Sequence, residues 1–241
     1  MKFTAVIPAR YAASRFPGKL MHLLDGKPVI VHTYEHTVAT GLFDEVIVVT
    51  DSDLIFMEIS SCGGKVLRSQ KEHESGTDRI AEIAPSLDTD VIINVQGDEP
   101  FVRKEPLQQL CRLFEEPGTQ VASLMHPLTD AAQIADANAV KVVVNQQMEA
   151  MYFSRSVIPY LRDAQVPVTY FKHIGVYAYR KEILLQLTRL QPTLLEQAEK
   201  LEQLRMLENG YRIKMAITEP WSISIDTPED LERAKKIVKK K

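Results

Sequence analysis

What most limits the fold of this chain is a rhythm. Up to Glu115, short apolar runs rich in β-branched residues alternate with segments of helical character. Phe3 to Ile7, Glu45 to Thr50 (E-V-I-V-V-T), Lys65 to Arg68 and Asp90 to Val95 (D-V-I-I-N-V) read as strands. Val29 to Thr40, Leu54 to Ser61, Asp78 to Ala84 and Glu105 to Glu115 read as helices. Near-continuous apolar strands separated by helices predict a parallel sheet covered on both faces. Right-handed crossovers then make it a doubly wound α/β fold.

After about residue 120 the rhythm loosens. Val121 to Met125, Val140 to Asn145, Ala150 to Ser154 and Ile174 to Tyr179 read as strands, Glu182 to Leu190 and Leu194 to Glu208 as helices. This mixed section is expected to add antiparallel strands and a lid or dimer element. No Gly/Ser/Pro-rich linker interrupts it, so the whole chain, 1–241, is expected to be one domain. Trp221 to Ile225 alternates with period two and predicts a last strand before a final helix. Thr227 would cap that helix, with Pro228 in its first turn and Asp230 as the acidic end of a capping box.

The 241 residues are 45% hydrophobic and 25% charged, the proportions of a packed globular protein rather than a disordered one. The formal net charge of −3 and a pI of about 6.1 argue against a nucleic-acid or membrane-surface binder, while leaving room for a local basic cleft. The two cysteines, Cys62 and Cys111, form no C-x-x-C pair and read as reduced packing residues. The N-terminal apolar run is too short for a signal-peptide core and none is long enough to span a bilayer. These features predict a cytoplasmic protein.

Three strand ends carry the chemistry. Pro8 to Lys19 (P-A-R-Y-A-A-S-R-F-P-G-K) leaves the carboxyl end of the first strand, where open α/β sheets bind ligands. Arg10, Arg15 and Lys19 lie there among small residues that let backbone N–H groups approach an anion. Polyphosphate suits such a loop, and a solvated loop with three surface cations is the plainer reading. The segment is neither G-x-G-x-x-G nor G-x-x-x-x-G-K-[ST], which counts against dinucleotide oxidoreductases and the common NTPases. At a second strand end, Gln96-Gly97-Asp98 offers a tight turn and a carboxylate. Mg²⁺ takes one or two carboxylates plus substrate phosphates, so Asp98 could hold it or merely cap a helix. Asp226, at the end of the period-two run, has the same two readings, with Thr227 already supplying the cap. Ser75-Gly76-Thr77-Asp78-Arg79 is a small-residue turn suited to a nucleotide's base or ribose. His32-Thr33-Tyr34-Glu35-His36 matches the H-x-x-E-H pattern of inverted zinc peptidases. Among six histidines such a spacing arises by chance, and no third-ligand motif follows.

Taken in order, these segments resemble the 3-deoxy-manno-octulosonate cytidylyltransferases, the CMP-Kdo synthetase family of Gram-negative bacteria. The likeness runs through I-P-A-R-Y-A-A-S-R-F-P-G-K from Ile7, G-K-P-V-I-V-H from Gly26, H-E-S-G-T-D-R from His73 and V-Q-G-D-E-P from Val95. It continues through N-A-V-K-V-V from Asn138, Y-F-S-R-S-V-I-P from Tyr152, H-I-G-V-Y-A-Y-R from His173, L-E-Q-L-R from Leu201 and D-T-P-E-D-L from Asp226.

The resemblance implies a Rossmann-like nucleotidyltransferase fold and a Mg²⁺-dependent, usually dimeric enzyme. It would convert CTP and the acidic sugar Kdo into CMP-Kdo and pyrophosphate for lipopolysaccharide synthesis. By matching motif, Arg10, Arg15 and Lys19 would hold the triphosphate, and Ala9, Ser75 and Gly76 would lie near the cytosine nucleotide. Asp98 and Asp226 would bind magnesium. Gln96, His173, Tyr177, Glu202, Gln203 and Arg155 would line the sugar side. Thr193-Leu194-Leu195-Glu196 departs from the family's S-P-L-E, Ser224 stands where glycine is common, and Leu161 to Phe171 is short, all bearing on the lid and dimer edge. The rivals are a cytidylyltransferase for another acidic sugar such as sialic acid and a catalytically silent nucleotide-binding protein.

Overall fold

The computed structural model describes residues 1–12, 16–73, 75–219 and 224–238. The chain divides into two compact units, Met1–Leu107 with Trp221–Lys241, and Gln108–Pro220.

The first unit holds β1 (Phe3–Ala9), β2 (Leu23–Leu24), β3 (Lys27–Pro28), α1 (Val29–Ala39), β4 (Glu45–Thr50), α2 (Asp53–Ser61), β5 (Lys65–Arg68), α3 (Gly76–Ile83) and β6 (Val91–Asn94). β6, β1, β4 and β5 lie side by side in that order, every pair parallel. Ala5, Val6, Ile7, Ile47, Val48, Val49, Val91, Ile92 and Ile93 are all fully buried, so both faces of these strands are covered. That explains why the runs are continuously apolar rather than alternating. Ser52 and Ser75 start α2 and α3, each hydroxyl accepting a backbone N–H three residues on.

Strand order places the site. From β1 the chain steps outward to β4 and β5, then returns to β6 on the other side of β1. The two neighbours β1 and β6 therefore send their following segments to different faces, and a crevice opens beyond their carboxyl ends. Gly97 lies at that switch point. A Cβ there would come 3.1 Å from the Pro8 carbonyl oxygen and 3.2 Å from Ile30 Cδ1, so glycine lets the two strand ends close on α1 without displacing either neighbour. Thr33 of α1 fixes the turn, its Oγ1 donating to the Gly97 carbonyl at 2.9 Å.

α4 (Lys104–Leu113) leads into the second unit, with β7 (Val121–Leu128), α5 (Ala131–Ala135), β8 (Lys141–Val144), β9 (Ala150–Ser154), β10 (Tyr170–Arg180), α6 (Lys181–Leu187), α7 (Leu194–Glu199), α8 (Gln203–Glu208) and β11 (Ile213–Ile217). β7 pairs with β11 in parallel and with β10 antiparallel, and β8 pairs antiparallel with β10 and β9. The expected antiparallel strands are thus present, and the structure differs from the sequence reading in several elements. Leu194 to Glu208 is two helices rather than one, because Lys200 turns into the left-handed region at φ 53°. The guanidinium of Arg205 then grips Glu196 through two hydrogen bonds of 2.7 and 2.5 Å, setting α8 on α7. β11, the short β2–β3 hairpin and α5 have no counterpart in the sequence reading. Of the expected strand at 221–225, residues 221–223 lie outside the described residues, and Ser224 and Ile225 belong to no strand.

The chain closes with α9 (Pro228–Val238) in the first unit. Its capping box is formed as expected: Asp230 Oδ2 accepts from Thr227 N–H at 2.9 Å, and Thr227 Oγ1 accepts from Asp230 N–H at 3.3 Å. Among the described residues no helix is long and apolar enough to cross a membrane.

Because a methyl group at Gly97 would crowd the Pro8 carbonyl and Ile30, Gly97→Ala is expected to cost about 1–3 kcal/mol through overpacking. Urea denaturation checks it: the midpoint should fall with an unchanged m-value.

Candidate active site

The loop after β1 and the turn after β6 face one open cavity of about 220 Å³ in the first unit. Ala9 and Arg10 contribute from the end of β1, Lys19 from the loop beyond, Gln96 and Asp98 from the turn after β6, and Asp226 from the segment entering α9. Gly18, left-handed at φ 66°, donates its N–H to the Tyr11 carbonyl at 3.1 Å and brings Lys19 back to the strand ends. Ile225 N–H donates to the Asp98 carbonyl at 2.9 Å, which lays the two aspartate-bearing segments side by side.

The Lys19 ammonium lies between the two carboxylates. It contacts Asp98 Oδ2 directly and donates to Asp226 Oδ1 at 2.9 Å. The side chains of Lys19 and Asp98 are 17% and 19% exposed, and that of Asp226 37%. Partial burial strengthens the attraction relative to a surface pair. Burial works against the Lys19 ammonium, but Asp98 and Asp226 outweigh it and hold its pKa above the usual lysine value.

Ser75 and Gly76, at the start of α3, line the same cavity. Ser75 Oγ accepts the Asp78 N–H at 3.1 Å and donates to Asp78 Oδ2 at 2.8 Å. Two further wall residues, Arg79 and His73, carry no role in the sequence reading. Arg79 is 4% exposed, with one arm on Asp51 at 2.7 Å, and Nη1 has no partner among the described residues. His73 is held by Glu82 at 2.7 Å. Glu82 also accepts from Ser69 Oγ at 2.7 Å and Gln70 N–H at 2.8 Å, so one carboxylate fastens the whole segment before α3. Burial opposes that charge, but hydrogen bonds from His73, Ser69 and Gln70 prevail and hold the Glu82 pKa at about 2. Both residues flank the S-G-T-D turn, the one signal that could have drawn attention to them.

Eight of the expected residues thus meet at one cavity: Ala9, Arg10, Lys19, Ser75, Gly76, Gln96, Asp98 and Asp226. Arg15 lies outside the described residues. Arg155, His173, Tyr177, Glu202 and Gln203 all belong to the second unit. There the His173 and Tyr177 rings are 5.3 Å apart. Burial, with Tyr179 and Glu202 adding to it, raises the Tyr177 pKa well above the usual phenol value. Gln203 opens α8 directly after Glu202. Arg155 is committed to backbone, its Nε donating to the Glu199 carbonyl at 2.7 Å and Nη1 to that of Ala137 at 3.2 Å.

The zinc-peptidase pattern has other employment. His32 Nε2 lies 2.6 Å from the Leu24 carbonyl, His36 Nδ1 contacts the Pro100 carbonyl, and Glu35 pairs with Lys27 at 2.7 Å. A carbonyl partner requires a proton on each of those nitrogens, so in each ring only the other nitrogen keeps a lone pair.

The fold and the cavity define an α/β protein of the nucleotidyltransferase type. Residues 4–215 match the family model described as cytidylyltransferase. A Flavobacterium johnsoniae protein named 3-deoxy-manno-octulosonate cytidylyltransferase is 57% identical over 99% of both chains. Its namesake from Christiangramia forsetii is 54% identical over 98% of this chain and 97% of its own. A solved structure of CMP:2-keto-3-deoxy-manno-octonic acid synthetase complexed with CTP superposes with a TM-score of 0.95 at 40% identity, covering 100% of this chain and 99% of that one. The chain belongs to the 3-deoxy-manno-octulosonate cytidylyltransferase family. The 4-diphosphocytidyl-2C-methyl-D-erythritol synthase of Anaerococcus prevotii, 16% identical with a TM-score of 0.64 over 99% of both chains, shares the fold.

Glu82 predicts an acid sensitivity. Its folded pKa lies below the ordinary value of 4.5, so its stabilisation is complete above that pH and is lost as pH falls from 4.5 toward about 2. Thermal melting across this range should show a steeper loss for the native protein than for Glu82→Gln, which should already be less stable at pH 7.

Proposed function

We propose that the protein transfers CMP from CTP to the 2-hydroxyl of Kdo, giving CMP-Kdo and pyrophosphate for lipopolysaccharide biosynthesis. The observation that carries this reading is the convergence of Asp98, Asp226 and Lys19 on one cavity at the switch point of the parallel strands. The names of its full-length relatives support Kdo over sialic acid as the acceptor. A silent nucleotide binder would have no need of two carboxylates gathered around one cation.

Magnesium fits the residues present. Asp98 and Asp226 already converge on a single cation, the Lys19 ammonium, so both can reach one ion. Among the described residues no group of three or more His, Cys, Asp or Glu side chains stands ready for a metal. A two-carboxylate site suits Mg²⁺, which keeps waters and substrate phosphates as its other ligands. Bound there, it would neutralise phosphate charge and lower the pKa of a coordinated hydroxyl.

In the reaction, the Kdo 2-oxygen bonds to the α-phosphorus of CTP as the bond to the pyrophosphate oxygen breaks, and the hydroxyl proton is released to water. Positioning and charge neutralisation supply most of the rate, as in other phosphoryl-type transfers. Arg10, Arg15 and Lys19 stabilise the leaving pyrophosphate, while Ala9, Ser75 and Gly76 seat the nucleoside. Gln96, His173, Tyr177, Glu202 and Gln203 bind the sugar, with Arg155 bracing β9 against α7. The reading includes a cytoplasmic location and a homodimer, and sedimentation equilibrium would test the second directly.

Pyrophosphate release from CTP and Mg²⁺ should be fast with Kdo, and at background with sialic acid or no sugar. Asp98→Asn should keep its circular dichroism and lose on the order of 10²-fold or more in turnover. Near-normal turnover by that folded variant would remove Asp98 from the chemistry. Lys19→Ala should raise the KM for CTP more than that for Kdo.

A further inference from the structure

β10 carries a bulge opposite β7. Its register against β7 shifts between Ile174 and Tyr177, and Ser123 stands opposite Tyr177. Both carbonyls of the bulge, those of Ile174 and Val176, lie within hydrogen-bond distance of one fully buried hydroxyl. Ser123 Oγ lies 3.1 Å from the Ile174 oxygen and 2.9 Å from that of Val176. The same oxygen lies 3.1 Å from His173 Nε2.

A serine hydroxyl has one proton. Two carbonyl oxygens at these distances claim it, since neither can donate. Toward the imidazole the hydroxyl can only accept, and Nε2 must bring the proton. The contact therefore calls for a proton on Nε2, which in the neutral ring leaves the lone pair on Nδ1. Were Nε2 unprotonated, the Ser123 hydroxyl would face three acceptors with one proton and receive no hydrogen bond itself. Other contacts hold the ring in place. His173 N–H donates to the Val140 carbonyl at 2.8 Å, and Phe153 meets the imidazole edge-on at 4.9 Å between centroids. Burial, with Lys172 adding to it, pushes the His173 pKa down to about 3, consistent with a neutral ring.

We propose that Ser123 is a positioning residue that holds His173 as the neutral Nε2–H tautomer, so that Nδ1 accepts a hydrogen bond from a hydroxyl of the sugar substrate. This rests on His173 serving the sugar in the reaction proposed above. It gives His173 a definite part, recognising a hydroxyl donor rather than pairing as a cation with the sugar's carboxylate. The neighbouring Tyr177 hydroxyl, buried and without a partner among the described residues, supplies the complementary donor. An acceptor beside a donor matches a polyol, whose hydroxyls each give and take a hydrogen bond.

Two measurements test this. Nitrogen-15 NMR of histidine-labelled protein at pH 7, with the His173 signals assigned by their loss in His173→Gln, should show a protonated Nε2 and an unprotonated Nδ1. An imidazolium, or a proton on Nδ1, would overturn the proposal even if the protein proves to be the expected enzyme. In kinetics, Ser123→Ala should raise the KM for Kdo roughly five- to tenfold, the loss of about one hydrogen bond, with the KM for CTP unchanged. Ser123→Thr, which keeps the hydroxyl, should restore the tautomer. Equal changes in both KM values, or a Ser123→Ala protein with unaltered His173 signals, would refute a positioning role. The tautomer is readable without turnover, so failure of the cytidylyltransferase reading would appear separately, as no Kdo-dependent pyrophosphate release.

Discussion

The structure of the site depends on one electrostatic constraint, two carboxylates from distant parts of the chain drawn to a single cation. Asp98 and Asp226 would repel each other if gathered with nothing between them, and the Lys19 ammonium removes that repulsion. Each partner is placed by backbone rather than by chance of rotamer. Gly18 turns Lys19 inward, Gly97 lets Asp98 approach the end of β1, and the N–H of Ile225 sets the Asp226 segment against the Asp98 carbonyl. A loop that presented only lysine, or a turn that presented only aspartate, would be an ordinary surface feature.

That convergence is a consequence of strand order. Since β6 returns to the far side of β1 after β4 and β5 have been laid down, the two most informative loops emerge at one rim. The helix starts contribute as well. Ser75 caps α3 while Glu82, one residue from the end of the same helix, reaches back to fasten His73, Gln70 and Ser69. Capping, segment anchoring and the wall of the cavity are thereby parts of one local structure, so stability and ligand handling are coupled there.

Much of this was legible in the sequence because it follows from pattern. Continuous apolar runs specify doubly covered strands, and positions just after such strands are where ligands bind, which singled out Arg10, Lys19, Asp98 and Asp226. Thr227 and Asp230 announced the cap of α9. Other features depend on tertiary context that no local pattern carries. Lys200 is an unremarkable helix former until α8 must fold back for Arg205 to reach Glu196. β11 contains Met and Ala with Lys, a weak strand signal rescued by pairing with β7. Glu82 and Ser123 look like a surface acid and a strand filler, and their partners at His73 and His173 become visible only in three dimensions. The imidazoles of His32 and His36 show the reverse, a suggestive spacing in which one nitrogen of each ring serves a backbone carbonyl.

The most direct test of a shared ion is Mn²⁺ binding, followed by electron paramagnetic resonance in the presence of CTP. If Asp98 and Asp226 are ligands of one cation, Asp98→Asn and Asp226→Asn should each weaken Mn²⁺ binding roughly tenfold or more, and the double variant should lose less than the sum of the two. Full Mn²⁺ affinity in either folded single variant would contradict the convergence on which the site is built.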